Sequence, residues 1–447
     1  MMTDVIQPGG DKRGWRETVL VYFTPVMLSM LILGFASGLP LYMVFQKLSF
    51  WLRDAGIERS TIGFFYWVTL SYTLKFLWSP IVDRVKIPIL HSLFGARRSW
   101  IVTAITGTIA GLVIISQTDP TQGLLPVAIG ALLLSYSGAT LDVAIDAWRI
   151  ESAPNRMQAN MAAAYSLGYR FAYMTSGVGL AISEWSDWTW SFLAMALAMG
   201  ISMVLVFFIK EPAAGAGKRE LEGGFASKVV NAVWEPFKQF LGRLGFWFFP
   251  VIALIMIYRM SDFTMGVMAS PLYADIGFNR AIVGGIQSGP GLIATFTGLF
   301  IGGVAAFRFG LMRAMVIGLI ITFITNGAYA WLAATAGPDS IWQLTVAIVG
   351  DNLAGGFVTT VFIAYLSSLV DPANAATQYA LLASFYALVS KFLSGFSGVL
   401  ADAVGYVYFF IITASVTIPA ALLLAFVMIA GTEAAKGKLK FAERETI

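Results

Sequence analysis

The residues with most chemistry to offer are charged side chains set inside long apolar runs. Lys75, Arg170, Arg259 and Lys391 are such cations, and Asp262 and Asp351 are such carboxylates. An ion in hydrocarbon is expensive, so these groups must face a partner or a wet cavity, and they mark solute or proton paths. Counted at about 1.5 Å per residue from the start of its run, Arg170 lies about 15 Å deep, near the middle of a bilayer. Asp351 is expected at a similar depth, with Arg259, Asp262 and Lys391 close to that level. Cations at one level attract an anionic solute, and a desolvated carboxylate can hold a transferable proton. Arg170, Lys391 and Arg259 are therefore the expected substrate-binding cations, and Asp351 and Asp262 the expected proton carriers. The competing reading is structural: Arg259 and Asp262 are spaced i, i+3 and can pair, and Asp351 can pair with Lys391.

A second charged group lies at a helix end. Asp142, Asp146 and Arg149 share one helical face. With Asp83, Arg84, Arg97 and Arg98 they read as a charged gate on one side of the membrane, and Asp142 and Asp146 are further candidates for proton coupling. The stretch Gly34-Phe35-Ala36-Ser37-Gly38-Leu39-Pro40 spaces small residues four apart, which lets another backbone approach. It is read as cavity wall, which brings in Phe35 and Ser37, although helix packing explains it nearly as well. Tyr66, Trp67, Tyr72, Trp78, Trp148, Tyr165 and Tyr169 are aromatic candidates for stacking on sugars, although packing or an interface belt explains each one better. The sequence has one His (His91) and no Cys, which removes the usual zinc, haem and iron–sulfur ligand sets. No catalytic residue, metal or cofactor is expected.

The elements that position these groups follow from composition. Of 447 residues, 58% are hydrophobic and 12% charged, with a mean hydropathy of +0.76. A soluble domain carries roughly 25% charged residues, so the chain reads as an all-α polytopic membrane protein. Runs of the about 20 apolar residues needed to cross hydrocarbon fall at 21–45, 61–80, 100–117, 124–146, 159–183, 188–209, 246–273, 281–305, 314–335, 341–366, 377–400 and 406–430, giving twelve spans. Of the 29 Lys and Arg, four (Lys75, Arg170, Arg259, Lys391) lie within spans and four (Lys47, Arg53, Arg59, Arg280) in odd-numbered loops. The rest occupy even-numbered loops and the tails, which places both termini in the cytoplasm and explains a net charge of +4 without nucleic acid.

The two halves repeat. Arg170-Phe171 with Ser176-Gly177-Val178 is matched, half a chain later, by Lys391-Phe392 with Ser397-Gly398-Val399. Two six-helix bundles in the same orientation, 1–210 and 246–430, are expected around a connector (211–245), with a tail at 431–447. Such parallel repeats place the solute site near the midplane between the halves.

Leu33-Gly34-Phe35-Ala36-Ser37-Gly38-Leu39-Pro40-Leu41, Thr61-Ile62-Gly63-Phe64-Phe65, Lys75-Phe76-Leu77-Trp78-Ser79-Pro80 with Asp83-Arg84, Arg97-Arg98-Ser99-Trp100, Asp142 with Asp146-Ala147-Trp148, Leu167-Gly168-Tyr169-Arg170 and Ala376-Thr377-Gln378-Tyr379-Ala380-Leu381-Leu382 closely resemble AmpG-type muropeptide permeases of the major facilitator superfamily. The resemblance spans nearly the whole chain and is looser around 246–345. It implies the major facilitator fold and a monomer in the bacterial inner membrane. It further implies proton-driven import of GlcNAc–anhydro-MurNAc, with or without peptide, from periplasm to cytoplasm for peptidoglycan recycling. In inducible bacteria that uptake feeds the β-lactamase induction signal. Partners are then the muropeptide, protons and the lipid bilayer. A same-fold carrier of acetyl-CoA, a peptide or a drug is the alternative.

Overall fold

The structure, a computed structural model, describes residues 24–152, 157–212, 242, 245–369 and 375–437, and among these it is helical with no strand. In hydrocarbon a spanning backbone must satisfy its own polar groups, which long helices do. The first half contains α1 (Pro25–Asp54), a broken helix α2 (59–77), α3 (Ala96–Ser116), α4 (Leu124–Ser152), α5 (Gln158–Trp185) and α6 (Trp188–Val206). The second contains α7 (Phe248–Ile276), α8 (Arg280–Phe309), α9 (Leu311–Thr335), α10 (Ile341–Leu369), α11 (Ala375–Ser394) and α12 (Ser397–Ile429). Nine of these are long and apolar enough to cross a membrane among the described residues. The three others, α2, α5 and α11, carry Lys75, Arg170 and Lys391.

Local chemistry sets the turns. Asp119, in the loop before α4, accepts from the Thr121 hydroxyl (2.7 Å) and backbone N–H (2.9 Å), and these bonds hold its carboxyl below the usual carboxylate range. Asp187 and Asn279 cap α6 and α8. Gly277 ends α7 with a left-handed φ of 83°. Gly405, at φ 75°, breaks α12 into a 397–404 part and a remainder. Proline widens one helix: Pro290 lacks the N–H that would bond the Ile286 carbonyl, and Gln287–Gly291 forms a π turn. A second π turn, Met43–Lys47, interrupts α1.

The end at which α6 stops and α7 starts is the connector end; the opposite one is the far end. At the far end, buried apolar residues of both halves form one contiguous core, joining Phe50 and Leu52 of α1 to Met268 and Leu272 of α7 and Val283 of α8. Toward the connector end the second half keeps a core of its own, built on Leu254, Met315, Phe362 and Leu424. The halves are thus fused at one end of the molecule. Most of the expected connector and tail lies outside the described residues, and helix continues through Gly437, past the expected start of the tail at 431.

Candidate functional site

A cavity of about 420 Å³ separates the halves near mid-depth, within the range of small-molecule sites. The first half contributes Tyr42, Phe45, Gln46, Tyr66, Arg170 and Tyr173; the second contributes Arg259, Asp262, Phe263, Asp351, Asn352 and Thr295. Four of the five charged residues expected at this level, Arg170, Arg259, Asp262 and Asp351, line one space.

Their pairing decides what each can do. Arg259 and Asp262 sit 3.5 Å apart, as the i, i+3 spacing allows. α7 breaks between them, with Arg259 at φ −104°, ψ 3°. Arg259 Nε and Asp262 Oδ2 keep no hydrogen-bond partner, so the pair is loose. Arg170 makes no ion pair among the described residues; its guanidinium lies 5.2 Å from the Phe296 ring of the other half. Asp351 likewise has no cation within ion-pair distance among the described residues. Its neighbour Asn352 is fixed, accepting from Thr295 Oγ1 (2.9 Å) and donating to the Ile348 carbonyl (2.8 Å). The cavity therefore offers one unpaired cation, one unpaired carboxylate and an aromatic wall.

Lys391 is elsewhere. It is buried, does not pair with Asp351, and reaches across to donate to the Thr69 carbonyl of α2 (3.4 Å), 5.2 Å from the Phe45 ring. It docks one half onto the other behind the cavity wall.

Three other expected cavity residues belong to different surroundings. Ser37 and Tyr169 donate to Asp142, as Tyr165 does at 3.3 Å and Lys75 at 3.0 Å. This network of α1, α2, α4 and α5 lies inside the first half. Gly34 and Gly38 of α1 meet the backbone of Tyr165 and Tyr169, so the small-residue stretch serves helix packing. Phe35 lines a separate apolar groove with Leu31, Phe171 and Ile201. Of the aromatics, Tyr66 lines the cavity, Trp67 stacks on Phe392 across the halves (5.4 Å, 5°) and Trp78 stacks on Tyr136. Tyr42, Phe45, Gln46, Tyr173 and Asn352 were missed by sequence reasoning. Their signal was position: each lies within about a turn or two of an in-span charge or of the α1 glycine stretch.

The expected gate divides in the same way. Arg97 pairs with Glu151 (2.6 Å), Arg98 donates to the Phe207 carbonyl (2.7 Å) and Arg149 pairs with Asp146 (3.5 Å); these contacts stay within the first half. The side chains of Asp83 and Arg84 lie outside the described residues. The ion pairs that join the halves are at the far end. Arg53 and Arg59 share Asp275, Arg59 also meets Asp402 (3.5 Å), and Arg280 meets Asp54 (2.8 Å) and Glu184 (3.0 Å). Bare backbone completes the seam. A Cβ on Gly398 would lie 1.6 Å from the Arg59 carbonyl oxygen, and one on Gly177 would lie 2.9 Å from that of Gly284. Both glycines belong to the repeated motif.

The Major Facilitator Superfamily profile matches residues 26–335 and again 251–446, in keeping with a duplicated chain. The anhydromuropeptide permease of Escherichia coli K12 is 30% identical over 408 residues, covering 90% of this chain and 80% of the permease. A Rickettsia felis transporter named AmpG 4 is 30% identical over 403 residues, covering 90% and 96%. Among solved structures, the nucleoside transporter NupG (TM-score 0.66, 14% identity, 90% of this chain and 99% of that one) and the POT-family transporter PepTSo (0.66, 11%, 94% and 99%) share the fold. A duplicated helical chain, a charged cavity between its halves and these likenesses place it among the AmpG-type permeases of the Major Facilitator Superfamily.

Proposed function

We propose that the chain is a monomeric secondary transporter of the bacterial inner membrane. It carries anhydro-muropeptides from periplasm to cytoplasm by alternating access, driven by the proton gradient. The observation that carries the reading is the inter-half cavity, in which an unpaired Arg170 and a wall of Tyr42, Tyr66 and Tyr173 suit a carboxylate-bearing sugar. The excess of Lys and Arg in the even-numbered loops puts the connector end in the cytoplasm, so the far end is periplasmic. With that end fused, the molecule is in an inward-facing state.

The roles follow from pairing. Arg170 binds the solute anion, and Arg259 joins it when Asp262 lets go. Asp142 already accepts from Ser37, Tyr165, Tyr169 and Lys75, which commits it to holding the first half together. The coupling proton therefore rides on Asp351, with Asp262 as its neighbour on the same wall. Arg97, Arg98 and Arg149, with Asp83 and Arg84, close the cytoplasmic end in the opposite state. Purified protein in liposomes tests this: labelled GlcNAc–anhydro-MurNAc accumulates under an imposed proton gradient and stops accumulating when a protonophore collapses it. Uptake indifferent to the protonophore refutes the coupling, and absent uptake refutes the substrate.

A further inference from the structure

Lys47 is 2% exposed in the seam between the halves. Its Nζ donates to Gln287 Oε1 of the other half at 3.2 Å, and among the described residues no carboxylate pairs with it. Burying an unpaired ammonium is costly, an amide oxygen offsets little of that cost, and an apolar side chain of similar volume would pack the same space more favourably. Packing therefore does not account for a lysine here. The backbone marks the same place. Lys47 ends one π turn, Met43–Lys47, and Gln287 begins the other, Gln287–Gly291; such single turns are rare and concentrate at functional sites. Phe45 and Gln46, in the same turn as Lys47, line the cavity. Since α1 runs from the connector end to the far end, Lys47 stands one residue beyond the cavity on the side that is closed. Moving the halves apart at the far end must break its bond to Gln287 and leave it facing the entering water.

We infer that Lys47 is the anion-receiving residue of the far-end-open state. It is the cation nearest the mouth of the cavity, inside the outer far-end arginines Arg53, Arg59 and Arg280, and it hands the solute's carboxylate on toward Arg170 as closure returns it to Gln287. The solute class and direction rest on the proposed import. Two labelled probes separate the possibilities: GlcNAc–anhydro-MurNAc with its free lactyl carboxylate, and the neutral carboxamide of the same disaccharide. In proteoliposomes of the full chain, Lys47→Gln keeps an amide donor and loses the charge. Its half-saturating concentration for the acid should rise about tenfold while that for the carboxamide stays unchanged. Lys47→Arg should behave as wild type, and Gln287→Leu, which removes only the buried acceptor, should keep the preference for the acid. A change in the closed-to-open balance alone would move both probes together, so equal shifts, or an unshifted acid, overturn the inference. The chain has no Cys, which gives a second measurement that does not depend on the yield of Lys47→Gln. In Lys47→Cys, an aminoethyl thiosulfonate should restore acid uptake and a methyl thiosulfonate should not; equal effects overturn the inference. Wild-type liposomes that take up neither probe overturn the import reading and this inference together, whereas wild-type uptake with charge-blind variants overturns this inference alone.

Discussion

Gly398→Ala should hold the far end open. The added Cβ would lie 1.6 Å from the Arg59 carbonyl oxygen, 2.2 Å from its carbon and 2.6 Å from Ser60 N. All three are backbone atoms of the opposite half and cannot rotate away. Ordinary contact is about 3.4 Å or more, so α2 and the 397–404 tract must separate by nearly 2 Å. Overpacking of this kind costs about 1–3 kcal/mol, charged only against the far-end-closed state, because the two backbones part when that end opens. The closed-to-open ratio then falls by about 5- to 150-fold. The contacts made by the displaced segment weaken too, including the Ser60 backbone N–H to Asp402 (2.8 Å) and the Arg59 guanidinium to the Ala401 carbonyl (3.0 Å). Because the chain has no Cys, spin labels on Gln122→Cys and Asp339→Cys, in exposed far-end loops of the two halves, report the gap directly. The distance distribution should move to longer values in Gly398→Ala, and turnover should fall. Gly200→Ala is the control, since its Cβ would meet nothing within 4 Å. Wild-type distances and turnover in Gly398→Ala would refute the seam.

Other perturbations separate the remaining roles. Asp275→Asn removes the carboxylate shared by Arg53 and Arg59; these side chains are about a fifth exposed, so the change is worth about 1 kcal/mol per pair at most. The same label pair should show a smaller opening that shrinks as salt screens the wild-type pairs. Arg170→Ala should abolish the preference for acid over carboxamide while membrane yield stays normal, measured as the ratio of the two uptake rates. Asp351→Asn should leave exchange across equal proton concentrations intact and remove accumulation driven by the gradient; retained accumulation would shift the coupling role to Asp262. Asp142→Asn leaves Lys75 without its carboxylate inside the first half. It should lower stability by about 1–3 kcal/mol, read as a fall of several degrees in the detergent-solubilised Tm whether or not transport survives.

The membrane class, nine of the spans and the duplication were legible because each is written in one-dimensional pattern. Length and apolar content define a span, and a cation followed by an aromatic and a small triplet recurs half a chain apart. Arg170, Arg259, Asp262 and Asp351 were legible for a related reason, since a lone charge in an apolar run has few explanations. What failed was partner choice. Ser37 and Tyr169 looked like cavity polar groups, yet Asp142 of α4, more than a hundred residues from Ser37, takes the Ser37 hydrogen bond. Lys47, Arg53, Arg59 and Arg280 were read as the minority side of a charge count. Asp54, Glu184, Asp275 and Asp402 lie at the same end and match them, but which half each acid answers to is set by tertiary contact. The gate was assigned to the charge-rich end, and the structure holds its halves together at the charge-poor one.

The repeated motif places two functions on one helix. Gly177 follows Arg170 by seven residues, which on α5 is two turns and about 10 Å toward the far end, so cation and glycine face the opposite half together. Arg170 meets the cavity and Phe296, while Gly177 lies against Gly284. A rigid α5 thus ties the position of the solute-facing charge to closure of the seam. The second copy has drifted: α11 breaks after Ser394, so Lys391 and Gly398 no longer ride one straight helix. Lys391 accordingly docks on the Thr69 carbonyl, while Gly398 keeps the seam against Arg59. On this argument the two cations are not equivalent. Arg170→Lys should weaken acid uptake, because a single ammonium replaces a planar fork that can grip a carboxylate with two N–H groups. Lys391→Arg should instead disturb the docking of α11 on α2, changing the spin-label distances before it changes acid preference. Equal loss of acid preference in both variants would mean that Lys391 reaches the cavity after all.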